Sequence, residues 1–256
     1  MPRIPKKHDP KDKYLRPYRA RCRVEEEILN GKESDTISSW RIFKIIAEFV
    51  QGFELLRKYD LAASIFGSAR APEDSPYYHE ARVLGKMLAE SGFAVITGGG
   101  GGIMEAANRG AREGGGASVG LNIRLPEEQS LNRYVTDAET FHYFFTRKVS
   151  LAFASEVYIY FPGGFGTLDE MFEILTLVQT KKIKNLPIIL VGRGYWTPLL
   201  QFFHNTLLER YHTVDAEDID ILRVVDSAEE AHRLVLSLVD LSACRGEART
   251  RPDSRP

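Results

Sequence analysis

Short apolar runs of β-type composition punctuate the middle of the chain, at 61–66 (LAASIF), 93–97 (FAVIT), 117–121 (ASVGL), 156–161 (EVYIYF), 186–191 (LPIILV) and 222–225 (LRVV). Between them lie helical stretches at roughly 77–91, 103–113, 144–155, 167–182, 197–210 and 227–240. Continuous apolar runs suit strands buried on both faces, and alternation with helices joins such strands in parallel. The pattern therefore predicts an α/β protein: an open parallel sheet with helices on both faces. Residues 122–143 break it, being polar and without a clear period, and connections of that length inside a compact domain are often functional.

Upstream of the first strand, Trp40, Phe43, Ile46, Ala47, Val50 and Phe53 form one stripe at helical spacing. Ser38 or Ser39 would cap this helix, which runs to about Tyr59 and is expected to pack on the body or on a second subunit. Residues 1–35 and 243–256 are polar and aperiodic. The expected organisation is a flexible basic tail over 1–35, a single domain over 36–242 and a flexible tail over 243–256.

Charge refines this division. The formal net charge of −1 conceals nine Lys/Arg against two Asp in residues 1–23, a balance of +7 that leaves −8 for residues 24–256. The basic tail lacks the interleaved aromatics of a nucleic-acid surface, Tyr14 and Tyr18 apart, so a nucleic-acid partner is not expected. No apolar run reaches the length of a membrane helix, and the N-terminus lacks the apolar core of a secretory signal. With two cysteines, Cys22 and Cys244, in polar flanks, a cytoplasmic protein without a disulfide framework or Cys-rich zinc site is expected.

Of 21 glycines, eleven fall at 98–102, 114–116 and 163, 164 and 166. The first and last of these clusters each follow a predicted strand and open a helix, where backbone N–H groups and the helix dipole favour an anion. Gly99, Gly100 and Gly101 are accordingly candidates for phosphate or sugar contact, as are Gly163, Gly164 and Gly166, with Phe165 able to face the ligand. Ile103 stands where a GxGxxG fingerprint begun at Gly98 needs glycine, and no GxxxxGK[ST], GxSxG or HExxH occurs. Thr167 and Glu170 have capping-box spacing, a purely structural alternative. Arg147 and Lys148 open a helix where cations oppose the macrodipole, which suggests an anionic partner. A pairing of Arg147 with Glu170 or Asp169 is the plainer alternative.

The Arg147-Lys148 pair and PGGFGTLDE at 162–170 resemble the LOG family of cytokinin-activating phosphoribohydrolases, many of which were long labelled lysine decarboxylases. The resemblance spans roughly 60–240 and includes FGSAR at 66–70, GGGGGIMEAANRGA at 98–111 and, as in bacterial members with an added N-terminal helix, LPEEQSLNRY at 125–134. It implies a Rossmann-like sheet and hydrolysis of the N-glycosidic bond of a nucleoside 5′-monophosphate such as AMP or an N6-modified AMP. By the same resemblance Arg147 and Glu170 form the catalytic pair, and Gly164, Gly166 and Thr167 bind phosphate with Lys148 alongside. Thr176 would line the site, and Gln129 or its neighbour Glu128 would approach from the long loop. A homo-oligomer, dimer or larger, is implied, and neither metal nor cofactor. The competing functional reading is a nucleotide-binding or carrier module without turnover; an NAD(P)-dependent oxidoreductase lacks its glycine fingerprint.

Overall fold

The computed structural model describes residues 39–124 and 130–239. The chain divides into two units, 1–42 and 43–256, and the sheet lies in the second. Seven strands carry it: β1 (Ala62–Phe66), β2 (Ala94–Thr97), β3 (Ser118–Ile123), β4 (Asp137–Phe141), β5 (Val157–Tyr160), β6 (Ile188–Val191) and β7 (Leu222–Val225). Among the described residues the helices are α1 (Ser39–Leu56), α2 (Pro76–Glu90), α3 (Ile103–Glu113), α4 (Phe144–Ala152), α5 (Phe165–Gln179), α6 (Arg193–Phe202), α7 (Ala216–Ile219) and α8 (Ala228–Leu238). A π-helical stretch, Phe203–Leu208, extends α6, which contains Pro198. All pairings are parallel, in the order β4-β3-β2-β1-β5-β6-β7. The fold is thus the open parallel α/β sheet that the alternating pattern predicts, and it is Rossmann-like, as the family resemblance implies.

Alternate strand residues feed two cores. Phe66, Ile96, Leu121, Tyr158, Tyr160 and Leu190 pack with α1, α4, α5 and α6 on one face. Ile65, Val95, Ile159 and Val191 pack with α2, α3 and α8 on the other. From β1 the chain winds outward through β2, β3 and β4, then returns to place β5 on the opposite flank. That reversal opens a crevice beyond the carboxyl ends of β1 and β5, where ligands bind in sheets of this class.

Two expectations change. The aperiodic 122–143 connection contains β4, an edge strand of sequence DAETF. Only its Phe141 is fully buried, so polar residues suit its exposed positions and no apolar run announces it. Its Asp137 accepts from Lys58 Nζ at 2.7 Å and from the Tyr59 hydroxyl at 3.1 Å. The aromatic stripe of α1 also does not face the body: Ile46, Val50 and Phe53 are exposed. The packed face carries Glu48, Gly52, Leu55 and Leu56 instead. Gly52 permits the approach, since a Cβ there would lie 2.7 Å from Ser150 Oγ of α4 and 2.9 Å from the Phe141 ring.

Glu48 gives α1 a structural task. Its carboxylate accepts from His142 N–H (2.9 Å), Tyr143 N–H (3.2 Å) and Thr146 Oγ1 (2.6 Å) at the start of α4. Tyr143, the N-cap of α4, makes no side-chain cap bond of its own, so Glu48 meets orphan donors with a charge that complements the dipole. Glu48→Ala should cost about 1–2 kcal/mol of stability, read as a lower urea midpoint with an unchanged slope.

Candidate active site

The loops after β1, β2 and β5 are laced together at the crevice. Ser68 N–H donates to Pro162 O at 3.0 Å, and Ile103 N–H donates to Ser68 O at 3.0 Å. Close approach fixes two glycines here: a Cβ on Gly67 would lie 2.6 Å from the Ile103 side chain, and Gly102 caps α3 with a positive φ of 63°. The resulting cleft, about 720 Å³, is lined by residues 67–70, Gly98, Met104, Ile123, Phe144, Arg147, 162–167 and Glu170.

Arg147 comes from the second turn of α4 and is held hard. Its Nε donates to Leu121 O at 2.7 Å, its guanidinium lies against Gly98, and its side chain is 11% exposed. Arg147 Nη1 stands 3.7 Å from Glu170 Oε1, an ion-pair distance beyond hydrogen-bond reach. Glu170, buried on α5, is pushed up to about 7 by desolvation, against the opposing pull of Arg147 and Lys148. Burial lowers Arg147 as well, countered by Glu170. A carboxyl poised near neutrality in a cleft can exchange a proton or carry charge at physiological pH.

The remaining expected residues separate. Gly163, Gly164, Phe165, Gly166 and Thr167 all line the cleft, with Phe165 92% exposed. Gly164 is the N-cap of α5 and makes Thr167 the third helical residue, so the Thr167–Glu170 capping box does not form. A Cβ on Gly163 would collide with Thr167 Oγ1, yet one on Gly164 or Gly166 would meet nothing within 4 Å. Neither Gly164 nor Gly166 has a positive φ, so packing and backbone conformation demand glycine at neither place. Both leave open space beside the amides at the helix N-terminus.

Lys148 turns from the cleft toward Asp169 (2.6 Å) and Glu173 (3.2 Å). Burial pulls it down, but the carboxylates of Asp169, Glu170 and Glu173 leave it above its ordinary value. The plainer alternative for Arg147 is met loosely, by Glu170 at 3.7 Å, and Lys148 adds a tighter tie between α4 and α5 that was not expected. Thr176 is exposed and lines a separate cavity with Phe172 and Phe203. Gln129 and Glu128 lie outside the described residues.

The 98–102 glycines also part company. Gly98 lines the cleft, whereas Gly99, Gly100 and Gly101 do not. Asn132, in the long connection, donates its N–H to Gly99 O (2.8 Å) and its Nδ2 to Gly100 O and Asn108 Oδ1 (both 2.9 Å). Thr97 Oγ1 accepts from Gly99 N–H at 2.9 Å and donates to buried Asn108 at 2.7 Å. These carbonyls are a landing site for the connection. Sequence reasoning missed Asn132, and also Tyr195, whose hydroxyl donates to Gly163 O at 2.5 Å. Neither sits in a composition that marks it; only the contact does.

A family model described as "possible lysine decarboxylase" matches residues 104–235. The rice (Oryza sativa subsp. japonica) cytokinin riboside 5′-monophosphate phosphoribohydrolase LOG is 31% identical over 176 residues, covering 67% of this chain and 69% of its own. A protein of the same enzyme name from Rhodococcoides fascians is 27% identical over 159 residues, 59% of this chain and 78% of its own. Among solved structures, a structural-genomics target, TM1055, matches with TM-score 0.51 and 25% identity, covering 69% of this chain and 99% of its own. The molybdenum cofactor carrier protein from Chlamydomonas reinhardtii shares the fold at TM-score 0.51 and 23% identity, over 70% and 97% of the two chains.

Two measurements probe the site without assuming a reaction. Glu170 binds its proton more tightly folded than unfolded, so its contribution to stability is present at acid pH and is lost as pH rises toward about 7. Glu170→Gln should therefore gain stability relative to wild type between pH 5 and pH 8; a pH-independent difference in melting temperature contradicts this. Gly164→Ala and Gly166→Ala should leave thermal stability within about 1 kcal/mol of wild type, because nothing is displaced.

Proposed function

Because the chain belongs to the LOG family, the family of the possible-lysine-decarboxylase model, we propose that it hydrolyses the N-glycosidic bond of a purine nucleoside 5′-monophosphate. AMP or an N6-modified AMP would yield free base and ribose 5-phosphate. The observation that carries this reading is Glu170: buried, poised at about 7 and 3.7 Å from Arg147, beside two glycines that neither packing nor backbone conformation requires.

The chemistry follows from these groups. The phosphate sits at the N-terminus of α5 on the amides of Gly164, Gly166 and Thr167, where no side chain caps the helix. Arg147, locked by Leu121 O and Gly98, orients the ribose or phosphate with a planar fork. Breaking the C–N bond develops oxocarbenium character, which ionised Glu170 stabilises while orienting water onto the anomeric carbon. Lys148 assists from behind by its charge on Glu170. The Gly99 and Gly100 carbonyls take a supporting part by receiving Asn132 of the long connection.

The substrate is read as a small-molecule nucleotide. A homo-oligomer is part of the same proposal, supported by exposed Phe165, Phe172 and Phe202 and by Ile46, Val50 and Phe53 on α1. Among the described residues no helix is long and apolar enough to cross a membrane.

Purified protein incubated with a panel of nucleoside monophosphates should release free base, measured by chromatography. Glu170→Ala and Arg147→Ala should each lower kcat by about 10²-fold or more. Since ionised Glu170 is the active form, kcat should rise with pH through about 7. Tight nucleotide binding with no base released would instead favour a carrier. Light scattering should give a dimer or larger, and Phe172→Glu should shift it toward monomer.

A further inference from the structure

The charges at the cleft do not balance a bound phosphate monoester, which carries about −1.5 to −2 at neutral pH. Among the described residues, the cationic side chains that line the cleft are Arg70 and Arg147, and the acid is Glu170. Arg147 is committed, its Nε to Leu121 O and its charge to Glu170. Lys148 is neutralised by Asp169 and Glu173. Helix-terminal amides supply partial charge and direction, but no full counter-ion.

Arg70 remains. Among the described residues its side chain makes no ion pair or hydrogen bond, and it is exposed on the turn after β1. The backbone beneath it is fixed on three sides. Arg70 N–H donates to Ser68 Oγ at 3.1 Å, Ser68 N–H to Pro162 O at 3.0 Å, and Ser68 O accepts from Ile103 N–H at 3.0 Å. A Cβ on Gly163 would lie 3.0 Å from Ser68 N, so this turn abuts the glycine loop that opens α5. The arrangement is a rigid base carrying a solvent-facing guanidinium at the rim of an anion-binding helix start.

We propose that Arg70 binds the substrate's phosphate, supplies the counter-charge that the glycine loop lacks, and makes the cleft select a nucleotide over a nucleoside. The inference rests on the nucleotide reading given above and adds to it a division of labour. Arg147 and Glu170 act at the ribose, while Arg70 acts at the phosphate. Its planar fork can take two phosphate oxygens at once, a geometry that lysine reproduces only in charge.

Kinetics with AMP, and competitive inhibition constants for ribose 5-phosphate and adenosine, test the proposal on wild type, Arg70→Ala and Arg70→Lys. Arg70→Ala should raise the AMP KM and the ribose 5-phosphate inhibition constant by about tenfold or more, with kcat within about twofold. Adenosine inhibition should not change, Arg70→Lys should recover part of the loss, and the salt dependence of the AMP KM should flatten in Arg70→Ala. Equal losses for adenosine and ribose 5-phosphate, a fall in kcat with KM unchanged, or no effect at all overturns the assignment while leaving the hydrolase reading intact. If wild type releases no base, calorimetric AMP binding on the same variants decides. Weakened binding in Arg70→Ala supports the assignment, whereas equal affinity, or no binding by wild type, refutes it.

Discussion

Burying Glu170 strips its carboxylate of water, and the nearest compensation, Arg147, stands 3.7 Å away instead of in hydrogen-bond contact. A closer pair would lock the acid in its ionised form and lower its proton affinity; a more distant one would leave it neutral well above pH 7. The intermediate distance leaves it poised at about 7. Much of the surrounding structure serves to keep that distance. Leu121 O and the bare face of Gly98 hold the guanidinium, while Lys148, drawn aside by Asp169 and Glu173, ties α4 to α5.

The consequences reach far from the cleft. Helix α4 carries Arg147 and Lys148 in its first two turns, where they oppose its dipole. The Glu48 carboxylate on α1 offsets this by accepting from two backbone N–H groups and the Thr146 hydroxyl at the same helix end. Gly52 lets α1 come near enough to do so. An upstream helix, outside the alternating strand–helix pattern, thereby sets where the guanidinium sits. The edge strand β4 leads straight into α4 and is anchored by Lys58 and Tyr59, immediately beyond α1. These links join α1, β4 and α4 into one support for a single charged group.

Strands β1, β2, β3, β5 and β6 announce themselves because burial on both faces favours apolar side chains, and the edge strand β7 keeps Leu222, Val224 and Val225 around an exposed Arg223, enough to be read. Strand β4 does not, because at an edge Asp137, Glu139 and Thr140 are compatible with solvent. The stripe Ile46–Val50–Phe53 is real periodicity, yet the face of α1 that packs is the one carrying Glu48 and Gly52. Periodicity reports that a helix is amphipathic and is silent on whether the body or another surface takes the apolar side. At 165–170 the residue types suited a capping box, but Gly164 starts the helix earlier and moves Thr167 out of the capping position.

Local chemistry in the chain was enough to specify the alternation of buried strands and helices, the presence of glycines at strand ends, and the Arg-Lys and PGGFGTLDE segments that mark the family. Those are properties of neighbouring residues, and short-range rules read them. Which glycine serves which purpose was settled by through-space contact alone. Gly164 and Gly166 face open space, Gly98 makes room for Arg147, and the Gly99 and Gly100 carbonyls receive Asn132 from 32 or 33 residues away in the chain. The same holds for the charges. Arg147, Lys148 and Arg70 are all plain cations in the sequence; burial, a backbone carbonyl and two carboxylates make one rigid, one neutralised and one exposed at the cleft's rim.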